Sequence, residues 1–152
     1  MPRKDLRNLT DGEKKLAAQI AAGLSARDIA HAPGPPSNTE AARQAIQNLL
    51  FKVGARTGAQ LAGWTAAAGL ITAPHDTPAP ATLPELPPRF LEILQGWTDG
   101  LTTTAIAERL DVSQRSMDDY VRTLFVHLGV SAPAPAVVVG VLNKCVRPTA
   151  TP

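Results

Sequence analysis

Apolar residues recur along most of this chain at intervals of three and four, the period of helices with one buried side. The clearest run is Thr102–Gly129. In it Met117, Val121, Leu124 and Leu128 form one stripe, while Gln114, Arg115, Asp118, Asp119 and Arg122 fall on the opposite face. Ahead of that stripe, Ile106, Ala107 and Leu110 mark a shorter helix that Thr102 can cap. Asp111-Val112 supplies the turn, and Ser113 is placed to accept the first free N–H groups of the longer helix. A short helix, a tight turn and a longer, polar-faced helix make up the helix-turn-helix layout.

The same reading extends in both directions. Thr10 and Glu13 have capping-box spacing and open a helix that runs to about Ala22, with Leu16, Ile20 and Ala17 inward and Gly23 as its stop. Ser25 caps a short helix containing Ile29 and Ala30. The Pro-rich stretch from His31 to Pro36 cannot stay helical. Ser37 and Glu40 suggest a further capping box before a long helix whose inward row is Ala42, Ile46, Leu49 and Val53, ended by Gly54. Residues 58–68 read as an Ala-rich helix closed by Gly69. Another helix spans about Pro88 to Thr98, and Gly100 ends it. Residues 134–146 suit a last helix, although their run of valines also permits a strand.

The pattern repeats. Leu9/Leu86, Gly23/Gly100 and Ile29/Ile106 are each 77 apart, and Ala42/Met117, Ile46/Val121 and Gly54/Gly129 are each 75 apart. The change of two falls in the turn, where an insertion is least disruptive. The expected organisation is all-α, with two tandem units of about four helices. These are residues 1–71 and 86–147, joined by a Pro-rich linker at 72–85 and followed by a frayed tail at 148–152. Residues 72–88 hold six of the fourteen prolines. An extended Pro-rich segment advances by roughly 3.1 Å per residue, so this one reaches about 40 Å.

Composition fits small aliphatic cores: 44% of residues are hydrophobic and 4% aromatic. The net charge of +2 is mild, but it is unevenly placed. Residues 1–72 hold nine Lys/Arg against five Asp/Glu, and residues 73–152 hold six against eight. The first half is the one suited to phosphate. One cysteine, Cys145, excludes an internal disulfide and suits a reducing compartment. A basic N-terminus without an apolar core region and the lack of a long apolar run lead to the expectation of a cytoplasmic, nucleoid-associated chain without a membrane span.

These residues resemble the LuxR/GerE-type helix-turn-helix family, whose pattern is roughly L-T-x-R-E, G-x-S-x-x-x-I-A, S-x-x-T-V-K-x-H and K-L-G. In the first unit Leu9, Thr10, Glu13, Gly23, Ser25, Ile29, Ala30, Lys52 and Gly54 match, with Arg43 at the family's basic position. In the second unit Leu86, Arg89, Gly100, Ile106, Ala107, Leu110, Ser113, Leu128 and Gly129 match, but Asp118 and Asp119 replace the expected basic character. The resemblance implies a bacterial DNA-binding transcriptional regulator. It also implies that the fourth helices make a dimer contact. Here Val137, Val138, Val141 and Leu142 can meet the helix around Leu61 and Trp64 within one chain, forming a covalent pseudo-dimer. The bland alternative is that these residues complete each small core.

Arg43, Gln44, Gln47 and Asn48 lie on the outward side of the first unit's long helix and suit bidentate contacts to base edges. Lys52, Arg56, Lys14 and Lys15 suit phosphate contacts. In the second unit Gln114, Arg115, Ser116, Arg122 and Thr123 are the candidate DNA contacts, where a purely architectural role competes with DNA contact. His31, His75, His127 and Cys145 lack metal-ligand spacing, and no Ser/His/Asp set, P-loop or Rossmann glycine pattern occurs. The chain is therefore expected to need no cofactor and to be a binding protein, not an enzyme. Double-stranded DNA is the first expected partner. The alternative is a protein-interaction module in which the second unit binds RNA polymerase, a sigma factor or another regulator; homodimerisation is open in either case.

Overall fold

The computed structural model describes residues 9–32, 37–69 and 86–148, which form eight helices and no strand. They are α1 (Asp11–Ala21), α2 (Ala26–His31), α3 (Thr39–Val53), α4 (Gly58–Ala67), α5 (Pro88–Thr98), α6 (Thr103–Leu110), α7 (Gln114–Leu128) and α8 (Pro133–Leu142). Residues 1–8, the turn at 33–36, the expected linker at 72–85 and the tail from 149 lie outside the described residues.

Local chemistry fixes the helix starts. Thr10 Oγ1 accepts from Glu13 N at 3.2 Å while Glu13 Oε1 accepts from Thr10 N at 3.0 Å, closing the expected box. Ser25 and Asp28 form a second box at α2. Thr102 and Ser113 cap α6 and α7 by accepting from Ala105 N and Ser116 N. The start of α3 differs from the expectation. Asn38, not Ser37, is the cap, its Oδ1 accepting from Ala41 N at 2.8 Å. An amide oxygen caps as well as a hydroxyl. Glu40 consequently closes no box and instead reaches Arg43. The helix ends follow the glycines: Gly54 and Gly129 cap α3 and α7 in the left-handed region, at φ 78° and 69°.

Element lengths repeat with the sequence register. α1 and α5 each have 11 residues, α3 and α7 each 15, and α4 and α8 each 10. Each half has its own core. In the first, Leu9, Leu16, Ile20, Ile29, Leu49, Val53, Leu61 and Trp64 are buried together. In the second, Phe90, Leu94, Trp97, Ile106, Met117, Leu124, Leu128 and Val137 form the cluster. Burying a side chain of this size contributes roughly 1.5–3 kcal/mol. The inward rows of α3 and α7 are as expected, with Ile46 and Val121 only partly buried at their edges.

A third cluster joins the halves. Ala21, Ala62, Ala66, Ala134 and Val138 pack together, so α4 lies directly against α8. On the α8 side the contact uses the expected Val138, with Val141 and Leu142 packed against it; on the α4 side it uses other residues than Leu61 and Trp64. Leu61 and Trp64 face their own core and the small residues Ala62 and Ala66 make the seam, while Val137 belongs to the second core and also stands against Gly63 of α4. Because α4 is apolar nearly all round, both of its sides can be buried. α8 is a helix, not a strand, but it ends at Leu142. Cys145 thus sits beyond it, half-buried, with burial pushing its thiol above the usual range.

Candidate nucleic-acid interface

α3 and α7 are the long helices that follow the short helices α2 and α6 and pack against them. Burying Ala42, Leu49 and Val53 turns the other side of α3 outward. Arg43, Gln44, Gln47 and Asn48 are all exposed there. Their i, i+1, i+4 and i+5 spacing gathers them on one face about one and a half turns long. Arg43 Nη1 stands 3.4 Å from Glu40 Oε2, with both side chains more than 60% exposed, so the pair is weak and easily exchanged for a phosphate or base partner.

On α7, burial of Met117, Leu124 and Leu128 likewise exposes Gln114, Arg115, Ser116, Arg122 and Thr123, together with Asp118 and Asp119. The hydroxyls among them are partly committed. Ser116 Oγ lies 3.1 Å from Ser113 Oγ, and Thr123 Oγ1 donates to Asp119 O at 3.0 Å. That leaves the guanidinium groups of Arg115 and Arg122 and the two carboxylates as the strongest hydrogen-bonding groups of this face.

The candidate phosphate contacts divide. Lys14, Lys15 and Arg56 are exposed. Lys52 is not: its Nζ donates to Glu13 Oε1 at 2.6 Å, with the two side chains 28% and 25% exposed. The Lys52 hydrogen bond, helped by the Thr10 backbone N–H, holds the Glu13 carboxyl below its ordinary value. Lys52 is thus engaged in pinning α3 to the start of α1.

Two exposed groups were not singled out from the sequence. Phe51 is 84% exposed and Val126 is 77% exposed, each on the last turn of its long helix. Phe51 continues the row Arg43–Gln47 by one more turn. That i, i+4, i+8 spacing was the available signal. Among the described residues no group of His, Cys, Asp and Glu could hold a metal ion, and no single helix is long and apolar enough to cross a membrane.

Residues 84–139 match the model of the family described as bacterial regulatory proteins, luxR family (GerE). No curated protein and no solved structure matches the chain. The matched span runs through α5, α6 and α7 into α8, so it contains the helix-turn-helix that the second half's packing builds. The second half is therefore similar, over residues 84–139, to the helix-turn-helix segment of luxR-family bacterial regulatory proteins.

Proposed function

We propose that this protein is a sequence-specific DNA-binding regulator in which two helix-turn-helix units of one chain act as a covalent pseudo-dimer at the nucleoid. The observation that carries the reading is the exposed row Arg43, Gln44, Gln47 and Asn48 on a capped 15-residue helix. Its length, register and capping position repeat those of α7 in the luxR-family segment. Guanidinium and amide groups on such a helix can read base edges in the major groove. Arg56, Lys14 and Lys15 would position the first unit on phosphates without specifying sequence. α4 against α8 takes the place of a contact between separate subunits.

A second reading assigns the second unit to a protein partner such as RNA polymerase or a sigma factor. It is favoured by Asp118 and Asp119, exposed side by side where phosphate would be repelled. Anisotropy titrations on duplex DNA between about 50 and 200 mM salt separate the two, because each phosphate contact adds to the salt slope. Steep weakening with salt is expected, with a clear loss for Arg43→Ala and a smaller one for Arg122→Ala. Binding that ignores salt, or an Arg43→Ala variant with full affinity, would overturn the first reading.

A further inference from the structure

The contacts between the halves are reciprocal. Gln60 of α4 lies over Gly100 at the end of α5, where an added Cβ would stand 2.7 Å from Gln60 Oε1. Pro135 of α8 lies over Gly23 at the end of α1, where an added Cβ would stand 3.1 Å from the Pro135 ring. Residue 135 is 75 beyond 60, and residue 23 is 77 before 100, the same offsets that relate the halves. The seam repeats the exchange: Gly63 abuts Val137, and their counterparts Val138 and Ala62 share one buried cluster. Two units whose contacts are mutually exchanged are paired about a two-fold axis. A translational, head-to-tail arrangement would pair unlike surfaces.

The outward faces that this pairing relates are chemically unlike. By the offset of 75, Arg43, Gln44, Gln47 and Asn48 correspond to Asp118, Asp119, Arg122 and Thr123, and all eight are exposed. Three of the four pairs differ in charge, and the fourth sets the Asn48 amide against the Thr123 hydroxyl. Amides favour adenine, arginine favours guanine, and a carboxylate accepts from cytosine N4.

Resting on the DNA-binding reading above, we propose that a single chain occupies two unlike half-sites in inverted orientation on one duplex. The chain is a reader of asymmetric operators: the two-fold pairing sets the inversion, and the unlike faces of α3 and α7 set the difference between the blocks. A homodimer with identical faces must read a palindrome, whereas this fusion need not.

The test is selection of bound duplexes from a random pool by the full chain, with the number of chains per selected duplex determined by native mass spectrometry. The same is done for the variant D118R/D119Q/R122Q/T123N, which places the α3 face on α7 at exposed positions that leave the core untouched. For the unaltered chain, one chain per duplex and two inverted, dissimilar blocks are expected. The variant is expected to select two like blocks, its site becoming a palindrome. Direct repeats, a single block unchanged in the variant, or two chains on one palindrome would overturn the proposal while leaving DNA binding intact. Failure to retain any duplex at low salt would instead overturn the DNA-binding reading and this inference with it.

Discussion

Glu13 Oε1 accepts a 2.6 Å hydrogen bond from Lys52 Nζ, and the corresponding positions of the second half are Phe90 and His127, whose rings meet edge to face at 5.8 Å. One place in the architecture, where the first helix of a unit braces the last turn of its long helix, is filled by an ion pair in one half and an aromatic pair in the other. Around Phe90 the second half adds more aromatic bracing: Tyr120 at 6.4 Å and Arg89 over the Tyr120 ring. The two halves should therefore respond differently to acid.

Because the Glu13 carboxyl is held below its ordinary value, its contribution to stability is present above the unfolded value and is lost as pH falls through the folded one. The contribution therefore begins to fall below pH ~4.5, while the native carboxylate itself stays ionised to lower pH. Glu13→Gln removes the titration, and the acid limb of a Tm-against-pH curve should flatten. An unchanged acid limb would show that the pair does not couple to folding.

Lys52 and Arg56 should separate stability from phosphate binding. Replacing Lys52 by Met leaves Glu13 without its charge-assisted hydrogen bond and is expected to cost about 1–2 kcal/mol by denaturant titration. It should barely change the salt dependence of DNA binding. Arg56→Ala, at an exposed position, should leave stability within about 0.5 kcal/mol and lower the salt slope by about 1. A reversed pattern would mean that Lys52 leaves Glu13 when DNA arrives.

Features that depend on a few neighbouring residues are legible in the sequence itself. Thr10 with Glu13, Ser25, Thr102 and Ser113 cap where the sequence places them. Gly23, Gly54, Gly100 and Gly129 all adopt positive φ at helix ends. The cap of α3 falls on Asn38, one residue beyond Ser37, because the two are adjacent acceptors and only the helix register chooses between them. The seam was not legible in detail: on a helix apolar nearly all round, periodicity cannot say which side faces its own core and which faces the other half. The brace between Phe90 and His127 is invisible in either residue alone, since it emerges only when the halves are aligned. The outward row of the candidate interface was readable as the complement of the buried row. The engagement of Lys52 was not, because it joins residues 39 apart in sequence.

Gly100 and Gly129 offer a matched comparison. Both have positive φ, but a Cβ on Gly100 would collide with the buried Gln60 side chain, whereas one on Gly129 would meet nothing within 4 Å. Gly129→Ala should cost only the strained backbone, roughly 1 kcal/mol, or about 2–4 °C in Tm. Gly100→Ala must also displace Gln60, whose Oε1 accepts from Arg56 N and whose Nε2 donates to Asp99 O across the seam. Its Tm should fall by roughly 5–10 °C. Equal losses would show that the Gln60 contact contributes nothing.

Val138 decides whether the two halves unfold as one. Its side chain is fully buried in the cluster that joins α4 to α8, away from the residues that fill either core. With that seam intact, the calorimetric and van't Hoff enthalpies should agree, as they do when separate cores melt together. Val138→Ala removes two methyl groups and should cost roughly 2 kcal/mol without breaking that agreement. Val138→Asp places an unpaired carboxylate in the seam. It should split melting into two transitions, or make the calorimetric enthalpy exceed the van't Hoff value, because each half keeps its own core. A single sharp transition in the aspartate variant would mean that the halves are coupled by something other than this cluster.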